Sequence, residues 1–302
     1  MATLPAAARA QQAGPDLPFA LQTPMHCGAV SLRVRDLDRV ADYYRALLGL
    51  EVMDRTRDSI ALGAGGVALL HLNARPGAPY EPPNQAGLFH TAFLMPTRGD
   101  LARWVMHVAA ARIPVTGASD HSVSEAIYLD DPEGNGIEVY GDRPRERWQW
   151  SNGVVTMGTN RLDVDALLTL ARADGARYQG APAGLRVGHV HLRVGDIPRG
   201  RGFYREMVGL DPTRERAGAS FLSSGGYHHH VAINTWQSAG AGARDLQRTG
   251  LDWFSLTVAD PALLDAQAAR LERAGARVRP LEGGGIAAAD PWGTTLRLVP
   301  AG

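Results

Sequence analysis

The sequence contains a single cysteine and has no formal net charge. Cys27 is the only cysteine among 302 residues, which excludes an internal disulfide framework and a cysteine-rich zinc site and suits a reducing cytoplasm. Lys and Arg total 31, and Asp and Glu also total 31. Because no basic excess is available to bind phosphates or anionic lipids, we expect neither nucleic acid nor a membrane surface as a partner.

Long apolar runs are absent as well. Nowhere do 18 or more apolar residues follow one another, which argues against a transmembrane helix. Residues 1–24 are rich in Ala, Gln and Pro and lack the basic and apolar regions of a signal peptide, so we interpret them as a flexible leader. The whole chain, with 45% hydrophobic and 21% charged residues, has the composition of a globular protein long enough for two domains, and we expect it in the cytoplasm.

The chain repeats itself. The stretch from Leu32 to Glu51 returns as Leu192 to Asp211, and in both copies a strand leads through an Asp-containing loop into an amphipathic helix that ends at a Gly. A weaker repeat relates residues 87–138 to residues 250–297, with helices predicted at Asp100 to Arg112 and Pro261 to Ala274. The repeats predict four βαβββ modules, at residues 25–75, 86–142, 186–236 and 249–300.

These modules predict an α+β fold with two domains. The first domain spans residues 25–142 and the second residues 186–302, each with two βαβββ modules. Residues 143–185 form the linker, with one helix from Val164 to Ala173. An exposed strand edge leaves backbone N–H and C=O groups unpaired. We therefore expect the modules to pair into two curved, barrel-like cups, whose interior can hold a ligand.

One segment predicts half of a metal site. The turn Asp131-Pro-Glu-Gly-Asn joins two strands and makes them an antiparallel pair, which brings Tyr128 and Glu138 within reach of one centre. Glu138 alternates with its apolar neighbours Ile137 and Val139, so its carboxylate lies on the opposite face of the strand. A carboxylate inside a sheet requires a cation.

Comparison of the modules within the chain supplies the other ligands. The same first-strand position is occupied, in module order, by Ala29, His90, His189 and Trp253. At the last-strand position, Glu138 of module two corresponds to Arg297 of module four. Modules two and three therefore offer two imidazoles and a carboxylate, with the remaining positions left to water and substrate. This ligand set is expected for a mononuclear non-haem Fe(II) oxygenase, and Mn(II) fits it equally.

Other histidines leave alternatives open. His191 lies on the same strand face as His189, and the alignment with His90 favours His189 as ligand and His191 as a neighbour of the site. The run from Tyr227 to His230 predicts either a solvated edge or an additional metal site. Three consecutive imidazoles alternate in direction, so at most two of them face the cup.

The segment from His121 to Glu138 resembles a family signature. It contains, in order, His121, Ile127-Tyr128, Asp131-Pro132-Glu133-Gly134 and Glu138. This pattern is similar to that of the vicinal oxygen chelate (VOC) superfamily, whose members have glyoxalase/dioxygenase-like domains. Within it, the chain resembles the bacterial extradiol ring-cleavage dioxygenases of the catechol 2,3-dioxygenase type. Ser119 departs from the residue usual at its position.

The resemblance implies roles for individual residues. Glu138 corresponds to an iron ligand, and the strands that carry His90 and His189 are similar to the family's two histidine strands. Tyr128 and His121 correspond to groups near a substrate hydroxyl, and His229 to the acid–base histidine. The implied activity is Fe(II)-dependent extradiol (meta) cleavage of catechol or a substituted catechol by O2, in a homo-oligomer whose partners are a small aromatic diol and O2.

The ligand order differs from that of better-known members, which take His, His and Glu from modules three and four. Here the order is His90, Glu138, His189, which predicts that modules two and three share one cup and modules one and four the other. Two other functions fit the fold. A metal-dependent glyoxalase-like isomerase or thiol transferase usually has a fourth protein ligand, and none is evident here. A drug-sequestering binding protein has no use for the metal position.

Overall fold

The first two modules each fold as a strand, a helix and three strands, in the order that the sequence predicts. The structure, a computed structural model, describes residues 17–301. The first module contains β1 (Met25–Val34), α1 (Leu37–Leu48), β2 (Glu51–Arg55), β3 (Ser59–Ala64) and β4 (Val67–Ala74). The second contains β5 (Gly87–Met95), α2 (Arg98–Ala111), β6 (Gly117–Asp120), β7 (Ser124–Asp130) and β8 (Gly136–Asp142).

The third and fourth modules repeat this order after a linker with elements of its own. The linker contains β9 (Trp150–Ser151), β10 (Val154–Val155) and α3 (Val164–Asp174), which confirms the predicted helix. The third module contains β11 (Arg186–Arg193), α4 (Ile197–Arg201), β12 (Asp211–Arg216), β13 (Ala219–Ser223) and β14 (Val231–Asn234). The fourth contains β15 (Gly250–Val258), α5 (Pro261–Arg273), β16 (Arg279–Pro280), β17 (Ile286–Ala289) and β18 (Thr295–Pro300).

Side-chain caps determine where the α-helices begin. In each, a side-chain oxygen of the preceding residue accepts a hydrogen bond from a free backbone N–H of the first turn. These residues are Asp36, Thr97, Asp163, Asp196 and Asp260. Helix α4 departs from the predicted repeat of α1, because after one turn it continues as a π-helix over Gly202–Met207. Gly200 packs so closely on the sheet that a Cβ there would lie 2.9 Å from Ile233 Cδ1.

Two mixed eight-stranded sheets carry the fold, and each combines one module from either half of the chain. The first sheet has the order β16-β17-β18-β15-β1-β4-β3-β2, from modules four and one. The second has the order β12-β13-β14-β11-β5-β8-β7-β6, from modules three and two. The predicted α+β class and the predicted pairing of modules are confirmed. Strands β1 and β11 pack against each other, so buried residues of both sheets form one continuous core.

Part of the predicted leader is packed against the second sheet. Residues 1–16 lie outside the described residues, but Phe19–Gln22 form a 3-10 helix and Ala20 is fully buried. The guanidinium of Arg145 lies 3.8 Å from the centre of the Phe19 ring, and His230 Nε2 lies 3.0 Å from the carbonyl oxygen of Ala20. In this structure residues 19–22 are therefore held by contacts with distant parts of the chain.

A buried ion-pair cluster links the connections between modules. Glu81, between β4 and β5, binds Arg193 at the end of β11 and Arg244 ahead of β15, each at 2.7 Å. The three side chains are at most 11% exposed. Glu81 thus joins the second sheet to the segment that enters the first. Among the described residues, no helix combines the length and the apolar character needed to cross a membrane.

Candidate metal centre

The second sheet brings His90, Glu138 and His189 to one point. They lie on three adjacent strands, β5, β8 and β11, and both Glu138 and His189 pair in register with Ala92. His90 precedes Ala92 by two residues and so shares its strand face. Register and alternation together therefore place one carboxylate and two imidazoles around a single centre, although they are far apart in the sequence.

The donor atoms are spaced as ligands of one ion. Glu138 Oε2 lies 3.0 Å from His90 Nε2 and 3.3 Å from His189 Nε2, and all three donors lie within 4.8 Å of one another. Ligands at about 2.1 Å from a common ion are separated by roughly 3 to 3.5 Å. Despite the short distances, His90 Nε2 and His189 Nε2 form no hydrogen bond of acceptable geometry. Buried polar atoms without hydrogen-bond partners are rare. A cation bound by the Glu138 carboxylate would also satisfy both imidazole nitrogens.

Burial and neighbouring charges together set the charge of this donor set. Burial lowers the pKa of the His189 imidazole to about 4, although the carboxylate of Glu138 opposes the shift. Burial also opposes ionisation of Glu138, but the neighbouring imidazoles of His189 and His90 hold the pKa of its carboxyl well below the usual range. His189 is thus neutral near pH 7, with a free lone pair, while Glu138 carries a negative charge. These are the protonation states that metal ligands require.

Tyr128 and His121 form a hydrogen-bonded pair beside this centre. Tyr128 lies directly opposite Glu138 in the β7–β8 pairing, and its Oη lies 2.6 Å from His121 Nε2. His121 Nδ1 lies 2.8 Å from the carbonyl oxygen of Gly158, which can only accept, so Nδ1 carries the proton. When His121 is uncharged, its Nε2 therefore accepts a hydrogen bond from the Tyr128 hydroxyl. Burial and the charge of Glu138 raise the pKa of Tyr128 well above its usual value, which keeps it a phenol.

The three consecutive histidines have separate environments. His229 lines the cavity, and its ring lies 4.1 Å from that of His189, centre to centre. His228 lies behind it and is fully buried, while His230 bonds to the N-terminal segment. The run is therefore not a solvated edge, and within residues 17–301 the only cluster of three potential metal donors is the one at His90. Burial lowers the pKa of His229 well below its usual value, so the ring is neutral.

His191, the alternative to His189, contributes no donor atom to the cluster. Its ring packs edge to face on His90 at 4.9 Å, and its Nε2 accepts a hydrogen bond from Asn234 Nδ2 at 2.9 Å. The amide orientation is fixed because Asn234 Oδ1 accepts from the backbone N–H of Trp236. His191 thus forms part of the wall beside the metal position.

A cavity of about 420 Å³ opens onto these groups. Phe89, Phe221 and Trp236 give it an aromatic wall, and Arg216 is the one Lys or Arg among its lining residues. This volume, with apolar walls and a few polar groups at one end, is typical of small-molecule sites.

The linker closes the open side of this cavity. Asn160 exchanges backbone hydrogen bonds with Asp120 at the end of β6, at 2.9 and 3.0 Å. On the other side, Arg216 at the end of β12 donates to the carbonyl oxygen of Met157 and to Thr159 Oγ1. Residues 157–160 therefore span the gap between the two edge strands of the second sheet. The sequence predicts only that residues 143–185 form a linker. Nothing local in this segment indicates that part of it forms a wall of the cavity.

The corresponding position of the first sheet has different chemistry. Arg297 stacks on Trp253 at 3.8 Å from the ring centre, and Ala29 occupies the place of His189. Among the described residues no metal-donor cluster occurs there.

Sequence reasoning missed Asp142 and left the role of His228, one of the three consecutive histidines, open. Asp142 ends β8, and His228 lies against it, with His228 Nε2 2.9 Å from Asp142 Oδ1. One signal was available, since residues 138, 140 and 142 alternate onto one face of β8. That alternation places Asp142 on the same face of β8 as Glu138, but it does not reveal the partner.

The fold and these groups agree with comparisons to known proteins. The family model "Glyoxalase/Bleomycin resistance protein/Dioxygenase superfamily" matches residues 26–139 and 186–298. The chain is 36% identical over 266 residues to catechol-2,3-dioxygenase of Bacillus subtilis (strain 168), covering 85% of this chain and 91% of that protein. It is 34% identical over 80 residues to biphenyl-2,3-diol 1,2-dioxygenase 3 of Rhodococcus globerulus, covering 26% of this chain and 42% of that protein.

A solved structure supports the fold independently. A glyoxalase I variant from Zea mays superimposes with a TM-score of 0.55 at 16% identity, covering 93% of this chain and 96% of that one. At this identity the likeness concerns architecture alone. From the two family matches and the extended identity to the Bacillus protein, we conclude that this chain belongs to the glyoxalase/bleomycin resistance/dioxygenase (VOC) superfamily.

Proposed function

We propose that this protein is an Fe(II)-dependent extradiol dioxygenase that opens the ring of catechol or a substituted catechol with O2. The observation that carries the proposal is the donor cluster of His90, Glu138 and His189, with two imidazole nitrogens that lack partners, at the end of a cavity with aromatic walls. The identity to a catechol-2,3-dioxygenase over most of the chain supports the same reaction class.

The residues fit the metal. His90 Nε2, His189 Nε2 and Glu138 Oε2 would hold it, which is the two-histidine, one-carboxylate set of non-haem Fe(II) oxygenases with open positions for substrate. Mn(II) accepts the same donors. When bound there, Fe(II) supplies the redox chemistry that joins a diol to O2. One negative ligand leaves the site with net positive charge, which favours an anionic diol oxygen beside it.

The surrounding side chains have tasks suited to a diol. The Tyr128 oxygen, whose proton is directed to His121, accepts a hydrogen bond from a substrate hydroxyl and fixes the ring's rotation. His229 lines the cavity as a neutral imidazole beside His189 and takes the hydroxyl proton as general base. Phe89, Phe221 and Trp236 pack on an aromatic ring and exclude water from it.

The test is O2 uptake by protein purified without air and loaded with Fe(II), given catechol and a panel of substituted catechols. We expect one O2 consumed per diol and a yellow ring-opened product, with the Mn(II)-loaded protein measured in parallel. Glu138→Gln protein treated identically is the control and should consume none.

Two results would instead support the other functions of this fold. Tight diol binding without O2 uptake across the panel would favour a sequestering protein. Turnover of a glutathione hemithioacetal would favour an isomerase.

A further inference from the structure

A chain of hydrogen bonds runs from the end of β8 to the cavity. Asp142 Oδ1 lies 2.9 Å from His228 Nε2, and His228 Nδ1 lies 2.7 Å from His229 Nδ1. His228 is fully buried, and among the described residues it is the only ion-pair partner of Asp142. His229 is the end of the chain that lines the cavity.

With Asp142 ionised and His228 neutral, the direction of every proton in this chain is fixed. An ionised carboxylate only accepts, so His228 carries its proton on Nε2. A neutral imidazole has one donor and one acceptor, so His228 Nδ1 accepts. His229 must then donate from Nδ1, which leaves its Nε2 without a proton. No hydrogen-bond partner of His229 Nε2 occurs within residues 17–301.

Other groups fix Asp142 in this role. Tyr227 Oη donates to Asp142 Oδ1 at 3.2 Å, and Tyr140 Oη lies 2.7 Å from Tyr227 Oη. Tyr140 has room only because residue 188 is a glycine, where a Cβ would lie 1.9 Å from Tyr140 Oη. Both tyrosines are fully buried, and Tyr227 donates to the same carboxylate oxygen that His228 contacts.

We infer that Asp142 and His228 are positioning residues that hold His229 in the tautomer with Nδ1 protonated and Nε2 bare toward the cavity. That His229 acts as a base rests on the proposed function, whereas its tautomer does not. When a diol hydroxyl gives its proton to His229 Nε2, the ring becomes a cation whose Nδ1–H bond to His228 strengthens. The negative charge of Asp142 stabilises that cation through His228, and returning the proton from Nε2 restores the starting state.

The tautomer is measured directly by long-range ¹H–¹⁵N NMR of full-length protein labelled with ¹⁵N-histidine and loaded with diamagnetic Zn(II). In the wild-type protein we expect the His229 signals of a protonated Nδ1 and an unprotonated Nε2. His228→Phe removes the acceptor and should populate the opposite tautomer. His228→Gln should preserve the native tautomer, because its amide oxygen can accept from Nδ1. His107→Phe, at a half-buried histidine outside the site, is the matched control.

Turnover of the Fe(II)-loaded forms gives the second readout. His228→Phe and Asp142→Asn should lower kcat by about 10²-fold, the scale for a misplaced acid–base group, with KM for the diol changed less than about threefold. His228→Gln should recover most of that loss. A purely structural role would move iron content and KM together with kcat.

The two proposals fail in different ways. A wild-type His229 protonated on Nε2 overturns the hydrogen-bond chain even if the protein cleaves catechols. Unchanged kcat in both His228→Phe and Asp142→Asn overturns the positioning role. The expected tautomer in a protein that consumes no O2 with any diol contradicts the proposed function and upholds the chain. If His228→Phe does not fold, the wild-type spectrum and His228→Gln still decide the tautomer.

Discussion

The imidazoles of His90 and His189 meet edge to face with their ring centres 5.5 Å apart, although they come from opposite halves of the chain. They do so because β5 and β11 are antiparallel neighbours at the middle of the second sheet. The donor cluster therefore exists only where the two halves are joined. Its assembly therefore requires the second and third modules to pair.

Replacing any member of the cluster should abolish stoichiometric iron binding. Glu138→Ala, His90→Ala and His189→Ala each remove one of the three donors of the cluster, and we expect iron below about a tenth of wild type by elemental analysis. Arg297→Gln is the matched control, since Arg297 holds the position of Glu138 in the first sheet. Full iron content in all three variants would refute the site.

The halves, produced separately, should not bind iron tightly. Residues 1–142 contain His90 and Glu138 but not His189, and separation exposes the edges of β1 and β5 that β15 and β11 cover. Co-expression of both halves should restore iron binding and a single folded species by size-exclusion chromatography. Stoichiometric iron in the first half alone would contradict assembly across the halves.

Groups beside the metal should affect turnover without affecting iron. Tyr128→Phe removes the hydroxyl next to His121, and His229→Ala removes the proposed base; each should slow ring cleavage by about 10²-fold or more with iron content unchanged. Tyr43→Phe, at a tyrosine that does not line the cavity and whose hydroxyl donates to the carbonyl oxygen of Asp130, serves as control. A loss of iron that parallels the loss of rate would assign these residues to metal binding instead.

Much of the candidate site could be predicted because the four modules of the chain can be compared with one another. Four copies of one module reveal which positions carry imidazole or carboxylate, and strand alternation orients Glu138. The contact of His228 with Asp142 could not be predicted, because it joins residues 86 positions apart through a loop ahead of β14. The packing of Phe19 beneath Arg145 could not be predicted from the sequence for the same reason. Long-range contacts of irregular segments leave no periodic trace in the sequence.

The buried carboxylate of Glu81 should matter to stability and not to chemistry. Glu81→Ala leaves Arg193 and Arg244 buried without their partner, and we expect the free energy of unfolding to fall by about 3–5 kcal/mol, measured by urea denaturation. Glu215→Ala, which breaks an exposed pair with Arg201, should cost at most about 1 kcal/mol. Equal losses in both variants would show that burial does not govern this cluster.

The cavity wall formed by residues 157–160 is separate from the strands that carry the donor cluster. It is anchored by backbone bonds to Asp120 and by Arg216, and not by the strands that carry the metal donors. Changes of length or side chain in this segment reshape the cavity while the register of β5, β8 and β11 is conserved. Changes in the linker can therefore alter the shape of the cavity without altering the donor cluster.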